Sequence, residues 1–204
     1  ILLSIIFILL LIPSWNKKEE TSLKENKGGL SEIWKNKFFI SLIPLSFFNY
    51  GGIQAIQTLW AGPWMLDVTG YSAMQSATGL FWINITMLLS FFIWGYILPK
   101  FSDYGIDSIK LIKIGLPVSY IIFLSIILLG KNAGPSLFAL YILTSIVISL
   151  TQPAVALNFS QNLAGKSLTS LNVFIHSGTF FIQWGIGLII DFCNFLGFNK
   201  IHSY

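Results

Sequence analysis

Asn172, His176, Thr179 and Gln183 follow one another in steps of four, three and four. In an α-helix those steps return to one face, so two amides, an imidazole and a hydroxyl would form a single stripe. Such a stripe can hold a solute by hydrogen bonds, and an imidazole can also exchange a proton near neutral pH. Upstream, Tyr50, Gln54 and Gln57 repeat the spacing, with Asn49 beside them and Trp60 one step further. Ser145, Ser149 and Gln152 repeat it again. The competing reading of every such residue is a hydrogen bond across a helix interface, worth about 0.6 kcal/mol. Ser145 and Ser149 fit that reading. The amides of Gln54, Gln57, Asn172 and Gln183 are harder to leave facing hydrocarbon. His176 lies near the middle of an apolar stretch, which makes it the candidate for proton coupling; the alternative is a neutral interface histidine.

The elements that must position these stripes are apolar and long. Hydrophobic residues make up 54 % of the chain and charged residues 10 %, with a mean hydropathy of +0.75. A soluble domain carries roughly 25 % charged residues. Apolar spans are expected at about 38–60, 75–98, 108–129, 135–157 and 168–192. Each reaches the ~20 residues that a helix needs to cross ~30 Å of hydrocarbon. Lipid leaves no partner for free backbone groups, so segments this long and continuous read as helices rather than barrel strands. The fold class is therefore an all-α integral membrane protein.

Twelve lysines and no arginine supply the basic charge. Ten fall in alternate gaps: residues 17, 18, 24, 27, 35, 37, 100, 110, 113 and 166. Lys131 and Lys200 fall on the other side. Cytoplasmic loops retain Lys and Arg, so the hydrophilic segment 14–37 is expected in the cytoplasm and the C-terminus outside. That segment carries Gly28-Gly29 and reads as a charged linker, with or without a short surface helix around 30–34. Residues 1–13 read as the end of a transmembrane helix closed by Pro13, which would make the chain a piece of a longer protein. Trp60 and Trp64 mark the outer end of the first full span, where indole rings anchor at headgroup depth.

Several function classes drop out. The basic surplus sits in short loops rather than on an aromatic-studded face, which argues against nucleic acid. A single cysteine, Cys193, rules out an internal disulfide and any multi-cysteine metal site. No Walker loop, His-Glu-x-x-His pair or Gly-x-Ser-x-Gly elbow is present, so no catalytic residue, metal or cofactor is expected. Asn84-Ile-Thr86 fits the glycosylation pattern but lies within a span and reads as a chance match.

One partial helix, a long charged linker and five helices with short loops resemble the second half of a major facilitator superfamily (MFS) transporter. Gly95-Tyr-Ile-Leu-Pro99-Lys100 is similar to that superfamily's loop motif, Gly-x-x-x-Asp-Arg/Lys. Gly95 and Lys100 match, Pro99 replaces the acidic residue, and the following basic residues are absent. Gly51-Gly-Ile-Gln54…Gln57-Thr-Leu-Trp60-Ala-Gly-Pro-Trp64 and Gly165-Lys-Ser-Leu-Thr-Ser-Leu-Asn172…Gln183-Trp-Gly-Ile-Gly187 resemble a bacterial branch of it. The resemblance implies an incomplete MFS-type helical bundle, holding the end of helix six, the central linker and helices seven to eleven. The final helix would be missing. It also implies secondary transport of a small solute by alternating access across a cell membrane. The N-terminal half of the same protein would then form the other cavity wall. Helices seven, eight, ten and eleven would line the cavity and helix nine would lie outside. The cavity candidates are Asn49, Tyr50, Gln54, Gln57, Trp60, Gln152, Asn172, His176, Thr179 and Gln183. Two other classes remain open. A membrane lipid or glycan transferase needs acids, bases or histidines gathered at one membrane face, and only Lys100, Asp103 and Asp107 come close. A sensor of transporter ancestry would bind without flux.

Overall fold

The computed structural model describes residues 29–198. The expected helix end at 1–13, the linker up to residue 28 and the tail carrying Lys200 lie outside them. Among the described residues there is no strand, and five helices are long and apolar enough to cross a membrane.

A short helix, α1 (Leu30–Lys35), comes first and buries Ile33. Asn36 ends it and starts the first span, α2 (Lys37–Val68): its side chain accepts from the Phe39 amide at 3.0 Å. Ser72 and Gln75 form a reciprocal capping box at the start of α3 (Ala73–Asp103). Asp107 caps α4 (Ser108–Leu129) by accepting from the Lys110 amide at 2.7 Å. Proline at the first position opens α5 (Pro135–Asn158), where its missing N–H is harmless. The last and longest helix is α6 (Gln161–Phe195).

Three of these helices outrun the expected spans. α2 continues through the turn-rich stretch 61–68, because Gly62 and Pro63 keep helical angles there. α3 runs on through Gly95, Pro99 and Lys100, so the expected loop motif forms the last turns of a helix. Lys100 Nζ reaches the Tyr96 hydroxyl at 2.8 Å and lies 4.0 Å from that ring's centre. α6 begins seven residues before residue 168 and takes in Gly165 and Lys166.

Prolines leave another mark. Wide π-type turns follow Pro44 (Leu45–Tyr50) and Pro63 (Trp64–Val68), and a third covers Ile56–Trp60. A proline removes one i→i−4 bond, and the chain accommodates the loss by rewinding locally. In α5, Pro153 deprives the Ser149 carbonyl of its usual donor, and a tight 3₁₀ stretch, Ile146–Leu150, precedes it.

α5 is the centre of the bundle: 56 % of its most apolar stretch is buried, against 11 % for α3 and 17 % for α6. It packs on α3, α4 and α6, while α2 packs chiefly on α6. The α2–α6 crossing is a backbone contact. A Cβ added at Gly178 would stand 2.1 Å from the Phe47 carbonyl oxygen, and one at Gly51 would stand 2.7 Å from the Gly178 carbonyl carbon. Backbone cannot swing away as a side chain can, so both positions exclude any larger residue. Small residues at a crossing are how membrane helices gain packing without a hydrophobic driving force between them.

Gly178→Ala is therefore expected to destabilise the bundle by about 1–3 kcal/mol, the usual range for overpacking. Gly165→Ala, where a Cβ meets nothing within 4 Å, should leave it unchanged or slightly steadier. Thermal unfolding of both variants in detergent checks the pair; equal melting temperatures would contradict the crossing.

Candidate functional site

Above and below the Gly51–Gly178 contact, the polar residues of α2, α5 and α6 bond to one another. Thr179 Oγ1 stands 3.0 Å from Gln54 Oε1 and 3.0 Å from the Ile175 carbonyl, so its single proton serves two acceptors. One turn further out, Gln183 Nε2 donates to Thr58 Oγ1 at 2.9 Å, and Thr58 in turn donates to the Gln54 carbonyl at 2.5 Å. Towards the other end, Gln152 Nε2 donates to Asn172 Oδ1 at 3.3 Å. The row from residue 172 to 183 covers about 16 Å of helix axis.

Each of these amides has two hydrogen-bonding ends and uses one. Among the described residues no hydrogen bond reaches Gln54 Nε2, Asn172 Nδ2, Gln152 Oε1 or Gln183 Oε1. All four side chains are partly exposed. The row thus offers two donors and two acceptors and no formal charge. His176 lies between Asn172 and Thr179 on α6, exposed, with no hydrogen bond among the described residues.

The remaining residues of the first stripe leave this row. Tyr50 is buried in the core at 4 % exposure. Asn49 accepts from the Tyr120 hydroxyl of α4. Gln57, 6 % exposed, turns towards α3 and donates to Asn84 Oδ1 at 2.8 Å, while Asn84 donates to the Leu80 carbonyl at 2.7 Å. Trp60 packs its ring over Gly187, where a Cβ would sit 3.6 Å from it, and lines a small apolar cavity between the helices. Gly95, Pro99 and Lys100 belong to the helical end of α3, away from the row.

Two participants escaped the spacing argument. Thr58 follows Gln54 by four residues and shares its helical face, which was the available signal. Asn84 is the sole amide side chain between Ser76 and Ser90, deep in an apolar span, and such a group demands a partner.

No family model, curated protein or solved structure matches the chain. What fold and composition define is a multi-pass helical membrane protein.

The Gln57–Asn84 pair provides a direct check on the packing of α2 against α3. Asn84→Leu should destabilise by about 1–3 kcal/mol, because it leaves the buried Gln57 amide without its acceptor. The double replacement Gln57→Leu/Asn84→Leu should recover most of that loss. A double variant as unstable as the single one, measured by unfolding in mixed micelles, would break the assignment.

Proposed function

We propose that the chain is part of a secondary transporter that moves a small, neutral, hydrogen-bonding solute by alternating access. The observation that carries this reading is the row of half-used amides on α2, α5 and α6. In a static interface, polar groups in lipid tend to be fully paired, because an unpaired one is costly. A set with one donor or acceptor left over at each amide suits a ligand that arrives and leaves. The absence of formal charge in the row favours a neutral solute over an anion.

Further support comes from the loosely covered helices. α3 and α6 bury least of their apolar surface, as half of a two-part bundle would before its other half packs on. The resemblance to the second half of an MFS transporter points the same way, with the N-terminal half as the partner. Under this reading the protein sits in the cell membrane, and the lysine asymmetry puts α1 and the linker in the cytoplasm. His176 is exposed between Asn172 and Thr179, and in this reading it is the residue that couples flux to protons.

Reconstitution of the full-length protein tests the proposal. Uptake of radiolabelled neutral polyols, sugars and neutral amino acids into proteoliposomes should reveal at least one transported solute. For that solute, Gln183→Ala and Gln54→Ala should each weaken apparent affinity roughly threefold to tenfold, the loss of one neutral hydrogen bond. If binding occurs with no flux, the sensor reading replaces this one. His176→Ala should abolish acceleration by an imposed proton gradient while leaving counterflow intact. Unchanged uptake with an unchanged pH profile would remove histidine from the mechanism.

A further inference from the structure

A partly open apolar cavity lies between the helices, apart from the polar row. It sits at the end opposite α1, between the late turns of α2, α4 and α6 and the first turns of α5. Its volume is about 200 Å³. Trp60 and Trp64 of α2, Phe123 and Ile126 of α4, Phe138 of α5 and Ile190 of α6 form its walls. Among the described residues no charged side chain borders it.

Size and lining select the occupant. An engineered apolar cavity of about 150 Å³ in another protein, walled by Leu, Ile and Phe, stays dry and binds benzene. A space of this volume holds one aromatic ring with a small substituent, and four aromatic walls offer edge-to-face contacts to that ring. Trp64 already meets Phe138 in that way, with ring centres 6.2 Å apart and planes at 66°. A polar or charged molecule would lose its hydration here without replacement.

One polar group distinguishes this cavity from a bare hydrophobic hole. The Trp64 indole Nε1 is buried within the cavity wall and has no hydrogen-bond acceptor among the described residues. A buried tryptophan N–H ordinarily finds one. Water is a poor candidate, since it needs two to four polar partners in such a place. A carbonyl on the ring substituent of a ligand would supply the acceptor after a small movement of the indole.

We infer that this cavity is a binding site for a small neutral aromatic molecule bearing one hydrogen-bond acceptor, taken up within the helical bundle itself. The inference stands apart from the transport reading: the site uses none of the polar row, and its occupancy can be measured with no flux at all.

The test is ¹⁹F NMR of 4-fluoroacetophenone with the full-length protein in lipid nanodiscs. A bound resonance that saturates at one molecule per chain is expected, absent from protein-free nanodiscs. Ile126→Trp fills the cavity and should remove that resonance. Ile127→Phe, on the exposed rim, guards against a misfolded first variant and should weaken binding at least fivefold. Trp64→Phe deletes the N–H and leaves a smaller aromatic ring. It should cost roughly threefold to tenfold more affinity for 4-fluoroacetophenone than for 1-ethyl-4-fluorobenzene. A signal identical in protein-free nanodiscs, or one untouched by both cavity variants, overturns the site. Equal affinity of the two probes in the unaltered protein overturns the role of the indole N–H.

Discussion

The approach of α2 to α6 at Gly51 and Gly178 is the constraint on which the other features depend. With the Phe47 carbonyl where a Gly178 side chain would be, the two backbones pass in direct contact. That closeness brings short side chains on both helices within hydrogen-bonding distance. Thr179 reaches Gln54, and Gln183 reaches Thr58, only because no larger residue props the helices apart. Spreading the crossing by the width of a methyl group would break both contacts at once. In lipid the separated groups would have no water to turn to.

At the α2–α3, α2–α6 and α5–α6 contacts described above, the paired polar groups carry no charge. Where a soluble protein would bury an ion pair or expose it, this one uses amides and hydroxyls in short relays that end on backbone carbonyls. Gln183 to Thr58 to the Gln54 carbonyl is one, and Gln57 to Asn84 to the Leu80 carbonyl is another. The two relays differ in consequence. The second fastens α2 to α3 through Gln57, which is buried, and Asn84, which is exposed. The first fastens α2 to α6 at the face proposed to meet a solute. Prolines and glycines vary the winding along α2, so one helix serves both purposes with residues only a turn apart.

Much of this was legible in the residues. The number of spans follows from apolar length, and α4 agrees with its expected limits residue for residue. The α6 stripe was visible as a period of four, three and four, and three of its four members do bond to α2 or α5. The ends of α2, α3 and α6 were not legible. Gly62-Pro63, Pro99 and Gly165 are breakers in a water-exposed chain, yet all three lie within continuous helix here. The first stripe split for a different reason. Spacing puts Tyr50, Gln54 and Gln57 on one broad face, but that face is shared between the core, α6 and α3.

The sequence by itself determined that this is a helical membrane protein and which residues are too polar to face lipid. Both follow from transfer free energies, which depend on residue type and local period and need no partner. Only the tertiary structure decided which polar group bonds to which, that Tyr50 and Gln57 turn inward, and that Trp64 borders a cavity. Those outcomes depend on how closely and at what angle two helices cross. That geometry is set by a glycine on each, more than a hundred residues apart in the chain, and no pattern within either helix records it.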